Sequence, residues 1–295
     1  MEFKIDEKFA DVRVDRFLRK MLPDIPLTEI FKGIRTGNIK VNGKKTKENA
    51  RLALGDNIKI FRLAGEKMES LAPLKENFID LSPKEIEEIK NSIVFENDEL
   101  IIINKRANLV MHVGSGHDYG LTEMVQSYLK NSDFSFVNRI DKATSGMVIG
   151  AKTLPMARIL AEEIRENRMD KRYYILVEGR IQKDEFTQTT YLKKVEDRVI
   201  ELQKFEPGAK ESTSHFKVLK REGGFTLLEG QLSSGRTHQL RVQLSALGHP
   251  IVGDVKYGSK IRSKRMMLHS YYLEIPKLEL KLQLPLPDSF LLKKI

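Results

Sequence analysis

Residues 137–153 read VNRIDKATSGMVIGAKT, a polar segment that passes through Thr144-Ser145-Gly146 into an apolar run. Asp141 is the residue in it that needs an account, because it follows Ile140 and stands at the edge of that run. Desolvating an unpaired carboxylate is costly enough that the group either neutralises or finds a partner. Such an Asp therefore has a basic neighbour or a chemical task, and Arg139 and Lys142 are the nearest local candidates. Taken alone, an Asp ahead of Thr-Ser-Gly opens an ordinary turn, with Arg139 merely solvated. The rest of the chain decides between these readings.

With 295 residues, 40% hydrophobic and 31% charged, the chain suits about two ordinary domains. A formal charge of +10 favours a polyanionic partner. The excess is concentrated early: residues 1–64 hold fifteen Lys or Arg against nine Asp or Glu. Absence of Cys excludes disulfides, thiolate chemistry and Cys-ligated zinc. The six His are scattered and include no His-Glu-x-x-His spacing, so no metal and no cofactor are expected. The amino terminus MEFKIDEKFADVRV has no apolar leader and no run reaches membrane-spanning length. These features predict a cytoplasmic, monomeric protein without a membrane partner.

Residues 11–64 read as a small basic helix-helix-strand module. Val14, Phe17, Leu18, Met21 and Leu22 follow helical spacing up to Pro23, and a second helix from near Thr28 buries Ile30, Phe31 and Ile34 before Gly37. Ile39 and Val41 then alternate into Asn42-Gly43, a strong two-residue hairpin signal, and Ile58 to Phe61 form another strand. Residues 65–90 are acidic, interrupted by Pro73 and Pro83, and read as a linker with a short helix over residues 83–90. Residues 91–295 mix strands with short helices. VFENDELIIINK is a hairpin, residues 121–129 a helix, and Thr153 caps a helix with Ala157, Leu160, Ala161 and Ile164 inward. RYYILVEG, FKVLK, FTLLEGQL and RMMLHSYYLEI are strands. No sustained strand-helix alternation occurs, so the fold class is α+β: a small module, then a larger domain with a mixed, largely antiparallel sheet and peripheral helices.

Five segments of the larger domain resemble, in order, the motifs of the RluA-type pseudouridine synthases. INKRANLVMHVGSGH resembles N-K-P-x-G-x-x-V-H, with Asn104, Lys105 and His112 matching and Arg106 and Asn108 replacing Pro and Gly. NRIDKATSG resembles H-R-L-D-x-x-T-S-G, with Asn138 in place of His. KRYYILVEG resembles K-x-Y-x-x-x-V-x-G and places the family's active-site Tyr at Tyr173. QLSSGRTHQLRVQLSALGHPIVGDVKYG resembles the Gly-Arg-Thr-His-Gln segment and its continuation, and RMMLHSYYLEIP the last core strand around Leu268. The order RVDRFLRKM, IFKGIRTGNIKVNGKK, LGDNIKI resembles the S4 RNA-binding domain, in which Lys32, Arg35 and Lys44 would meet phosphates.

This resemblance implies an RNA pseudouridine synthase of the branch that modifies uridines in large-subunit ribosomal RNA. Asp141 would be the essential carboxylate, as nucleophile at ribose C1′ or as base on a glycal route. Arg236 would pair with Asp141 and keep it ionised. Tyr173 would stack on the uracil and accept the C5 proton late, Arg139 would fill the space left by the flipped base, and His112 and Leu268 would complete the substrate site. Residues 237–247 would form the helix behind Arg236, with Leu240, Leu244 and Leu247 inward. Two rivals stand beside this: a noncatalytic RNA-binding protein on a degenerate fold, and a hydrolase using Ser145 or Ser234 with His238 and Asp141. The chain has no Gly-x-Ser-x-Gly elbow for the latter.

Overall fold

The computed structural model describes residues 1–23, 25–61, 78–113 and 119–290, and the chain divides into two compact units, Met1–Asn77 and Phe78–Ile295. In the first, β1 (Glu2–Lys4), α1 (Val14–Met21), α2 (Leu27–Thr36), β2 (Ile39–Val41), β3 (Lys44–Lys45) and β4 (Asn57–Ile60) build an antiparallel sheet in the order β1-β4-β2-β3. Asn42 and Gly43 both have positive φ (50° and 74°), the two-residue turn whose twist matches the flanking strands. Val14, Phe17 and Leu18 of α1 and Ile30 and Ile34 of α2 bury against Ile39, Ile58 and Ile60. Because β1 pairs with β4, this unit starts before the expected boundary at residue 11.

Within the expected linker, residues 65–77 lie outside the described residues. Its helix belongs to the second unit. α3 (Pro83–Ser92) is capped reciprocally by Ser82 and Glu85, buries Ile89, and takes a 2.5 Å hydrogen bond from Tyr119 to Glu85.

The second unit continues with β5 (Ile93–Glu96), β6 (Leu100–Lys105), α4 (Leu121–Leu129), β7 (Ser135–Phe136), β8 (Ser145–Ala151), α5 (Leu154–Arg165) and β9 (Asp170–Glu178). Then come β10 (Glu185–Val195), β11 (Arg198–Leu202), β12 (Lys210–Glu222), β13 (Phe225–Leu232), α6 (Gln239–Ala246), β14 (Leu268–Ile275) and β15 (Leu280–Gln283). They form one sheet in the order β11-β10-β12-β13-β9-β14-β8-β6-β5, with β15 beside β14 and β7 beside β8. Among the described strands the pairing is antiparallel except where β14 runs parallel to β8.

Strand alternation explains the layers. Ile102 and Ile149 face Met156 and Leu160 of α5, whereas Ile101, Ile103 and Val148 face Leu121 and Val125 of α4. α5 turns Met156, not Ala161, to the core, and Ala161 is exposed. The strands β10 and β11 are not among those expected from the sequence. β10 and β11 bury few apolar residues, chiefly Leu192 and Val199 against Val242, and where β10 and the start of β12 meet α6 the packing is polar: Thr190 of β10 and Ser212 and Ser214 of β12 are buried and bonded to Gln239 or Gln243, so apolar periodicity does not mark this region.

The close contact of β8 with β14 fixes the segment that leads into β8. Gly146 has φ of 111°, and a Cβ there would lie 2.1 Å from the Ser270 carbonyl oxygen. Only glycine fits, and the loop carrying Asp141 is thereby anchored, five residues upstream, beside β14.

Candidate active site

Residues 137–144 are irregular and lead into β8. Asn138, where the resembling motif has His, accepts the backbone N–H of Ile149 at 2.8 Å and so ties the loop to the strand it enters. The Asp141 carbonyl accepts from Thr144 N–H at 3.1 Å, and its carboxylate is turned to a cleft of about 670 Å³. Beneath it Lys105 is buried, with Nζ donating to the carbonyls of Arg106, Leu109 and Lys142 at 3.0, 2.9 and 3.1 Å. Burial lowers the Lys105 pKa to about 7 against the opposing pull of Asp141.

The partner of Asp141 is Arg241, not Arg236. Arg241 Nη1 donates to Asp141 Oδ2 at 3.0 Å, while its Nε and Nη2 form a fork on buried Asp254 at 2.7 and 2.8 Å. Burial works against the guanidinium's charge, but the two carboxylates outweigh it and the pKa is raised. Arg236 is exposed on the cleft wall, three residues before α6, because the turn ahead of that helix ends at His238 in a left-handed conformation (φ 55°). Leu240 and Leu244 face inward as expected, and Leu247 lies past the helix end, 39% exposed.

The helix is held in rotation by amides. Gln243 donates to Thr190 Oγ1 (3.1 Å) and the Ser212 carbonyl (3.0 Å) and accepts from Ser214 Oγ (2.7 Å). Gln239 donates to the Thr213 carbonyl and accepts from Ser234 Oγ, both at 2.9 Å. This leaves Arg241 one direction in which to extend.

His238 adds a further contact. Its Nδ1 shares a hydrogen bond of 2.7 Å with Tyr257 Oη, which also accepts the Val199 N–H at 3.1 Å. Nε2 stands 3.6 Å from Asp141 Oδ2. Burial lowers the His238 pKa against the pull of Asp141.

Tyr173 of β9 reaches the same cleft, and Tyr174 the opposite face, where it stacks on Tyr271 at 3.7 Å. Tyr173 is the more buried of the two. Burial raises the Tyr173 pKa to about 12, so it stands as a phenol at neutral pH. Leu268 is a buried apolar wall, and Arg139 and His112 are exposed at the cleft. Lys32, Arg35 and Lys44 are exposed on the first unit.

Neither serine of the hydrolase rival meets His238. Ser234 bonds Gln239, and Ser145 accepts from Arg265 and lies 2.7 Å from His269 Nδ1. Burial, reinforced by Arg265, lowers the His269 pKa to about 4. Sequence reasoning does not assign Arg241, Asp254, Tyr257 or Lys105 to the site. A signal for the first is nevertheless present: Arg241 lies between Leu240 and Val242 in a helix, where a charge requires a partner as Asp141 does.

Replacing Arg241 by Met strands the buried Asp254 and should lower unfolding stability by about 3–5 kcal/mol. The exposed Arg236→Met should stay within about 0.5 kcal/mol, and denaturant titration of both variants separates the two arginines. His269 gives a pH signature. Its folded pKa lies below its ordinary value of 6.5, so between 6.5 and about 4 the unfolded chain binds a proton that the folded one resists. Stability should therefore fall by about 3 kcal/mol as pH drops through that window, and His269→Gln should remove this part of the fall in denaturant titrations at pH 7 and pH 4.

The family described as RNA pseudouridylate synthase matches residues 99–246. "Ribosomal large subunit pseudouridine synthase C" of Vibrio parahaemolyticus is 33% identical over 87% of this chain and 79% of its own length. The protein of the same name from Buchnera aphidicola is 33% identical over 99% and 95%. The solved structure of "Human RNA Pseudouridylate Synthase Domain Containing 1" superposes with a TM-score of 0.58 at 28% identity, covering 69% of this chain and 86% of that one. A carboxylate paired with a buried guanidinium, facing a tyrosine across a cleft, thus lies inside the matched fold, and the chain belongs to the RNA pseudouridylate synthase family.

Proposed function

We propose that this protein isomerises uridines of large-subunit ribosomal RNA to pseudouridine in the cytoplasm, with Asp141 as the essential carboxylate. The observation that carries the reading is the Arg241–Asp141 ion pair at the floor of a cleft that Tyr173 and Leu268 wall. The reaction breaks the bond from ribose C1′ to uracil N1, turns the base, and joins C1′ to C5. The C5 proton is lost and N1 gains one, so atoms balance without an oxidant or an energy source.

The target base has to leave its stack to reach a carboxylate in a cleft, and contacts to the flipped nucleotide offset that unpairing. Tyr173 offers a ring face to the uracil, a contact worth about 1–3 kcal/mol per base in single-strand binders. Because its phenol stays protonated, we assign it stacking and hydrogen-bond donation ahead of proton abstraction. Arg241 donates to Asp141 at 3.0 Å and His238 Nε2 stands 3.6 Å from it, which holds the carboxylate in the position that a nucleophile at C1′ and a base on the glycal route equally require.

The S4-like module is the second RNA contact in this reading. Lys32 and Arg35 lie one turn apart on α2, and the Lys45 side chain runs over Gly37 at its end, which brings β3 and Lys44 alongside. Lys32 is partly matched by Glu29 at 3.7 Å.

Asp141→Asn should bind an unmodified transcript of large-subunit ribosomal RNA as wild type does while forming no pseudouridine, read by carbodiimide-blocked primer extension. Stops that persist in this variant would remove Asp141 from the chemistry. In the triple variant Lys32→Gln, Arg35→Gln, Lys44→Gln, the slope of log affinity against log salt should shrink by about 0.7–0.9 for each phosphate no longer neutralised. An unchanged slope would take the module out of RNA binding.

A further inference from the structure

The cleft contains a lysine that the isomerisation chemistry does not use. Lys171 lies in β9 two residues before Tyr173, so their side chains share one face of the strand. The intervening Arg172 points the other way, where Asp170 (2.7 Å), Glu229 (3.4 Å) and the Tyr272 ring (4.8 Å) neutralise and cover it. Lys171 is half-buried in the cleft wall, and its ammonium forms no ion pair or hydrogen bond among the described residues. Burial alone lowers its pKa. Other charges lining the cleft are differently placed: Arg241 is matched by two carboxylates, Arg165 by Glu166 at 3.0 Å, and Arg139 and Arg236 are bathed in solvent.

A cation withdrawn from water without a counter-charge is destabilising unless a ligand supplies one. Resting on the proposed function, we infer that Lys171 is an anion site for one phosphodiester of the flipped nucleotide. The geometry suits this class of ligand. Two residues along a strand place Lys171 about 6.6 Å from Tyr173 at the backbone, a separation that a single nucleotide bridges between its base and its own phosphate. With the ring of Tyr173 against the uracil, the ammonium meets the backbone on the same side of the cleft. Arg139, across the cleft on the Asp141 loop, is left free to enter the vacated stack.

The test uses full-length protein and an in vitro transcript of large-subunit ribosomal RNA, with pseudouridine formation followed under single-turnover conditions and binding followed across a salt series. Lys171→Met should raise the half-saturating protein concentration about tenfold, more than it lowers the saturated rate. Its log affinity against log salt slope should be smaller by about 0.7, the share of one phosphate on a single strand. Lys171→Arg, which keeps the charge, should restore most of both, and Lys171→Gln repeats the comparison if the Met variant does not fold. Unchanged half-saturation and slope in the neutral variants, or a loss confined to the saturated rate, would overturn the phosphate site. A wild-type protein that forms no pseudouridine would instead overturn the proposed function, and the salt slopes would still decide whether Lys171 meets a phosphate.

Discussion

Arg241 stands between two carboxylates of different exposure, and most of the second unit serves that placement. Asp254 is buried and takes the fork of Nε and Nη2, while Asp141 looks into the cleft and takes the remaining Nη1. A guanidinium can do this because its donors are fixed in a plane, whereas a lysine ammonium is a point charge that would serve one acid at the expense of the other. The Tyr257 ring, 4.9 Å from the guanidinium, covers one face and excludes water from it. The arrangement keeps one acid fully bonded and presents the other to whatever enters.

That clamp works only if α6 and the Asp141 loop are each fixed in rotation and depth, and the two are fixed by unlike means. α6 is positioned by Gln239 and Gln243, whose amides bond into β10, β12 and the turn before the helix. Directional bonds specify a helix rotation more narrowly than apolar contact does, because each amide left unpaired would be penalised at full desolvation. The Asp141 loop is positioned by close approach: Gly146 against Ser270, Asn138 on Ile149, and Lys105 gathering three carbonyls below.

These unlike devices explain which elements are legible in the sequence. Wherever burial is apolar, the pattern can be read: α1 and α2, the hairpin at Asn42-Gly43, β13, and the Thr153-capped α5 follow from spacing and turn chemistry. Burial through polar groups hides β10 and the start of β12, since Thr190, Ser212 and Ser214 look like surface residues until Gln243 is seen among them. The choice of Arg236 over Arg241 fails for a related reason. Both arginines lie within one motif, and the helix start favours the first, whereas the neighbours Leu240 and Val242 mark the second as the buried one. Lys105 reads only as a motif letter, because nothing in the chain around it announces that three carbonyls converge on its ammonium.

Charge in the cleft is therefore unequally matched. Beside Asp141 the buried Arg241 has its counter-charges within the protein. On the β9 wall Lys171 has none, and its field is unspent until an anion arrives. A neutral uracil gains little from a bare ammonium, but the phosphate that accompanies it gains a great deal in a site partly shielded from water. Binding free energy drawn from the non-reacting phosphate can then oppose the unstacking of the base and its rotation over Asp141. The separation of roles follows from one strand's alternation: Arg172 stabilises the far face with Asp170 and Glu229, and the residues on either side of it, Lys171 and Tyr173, are turned to the cleft.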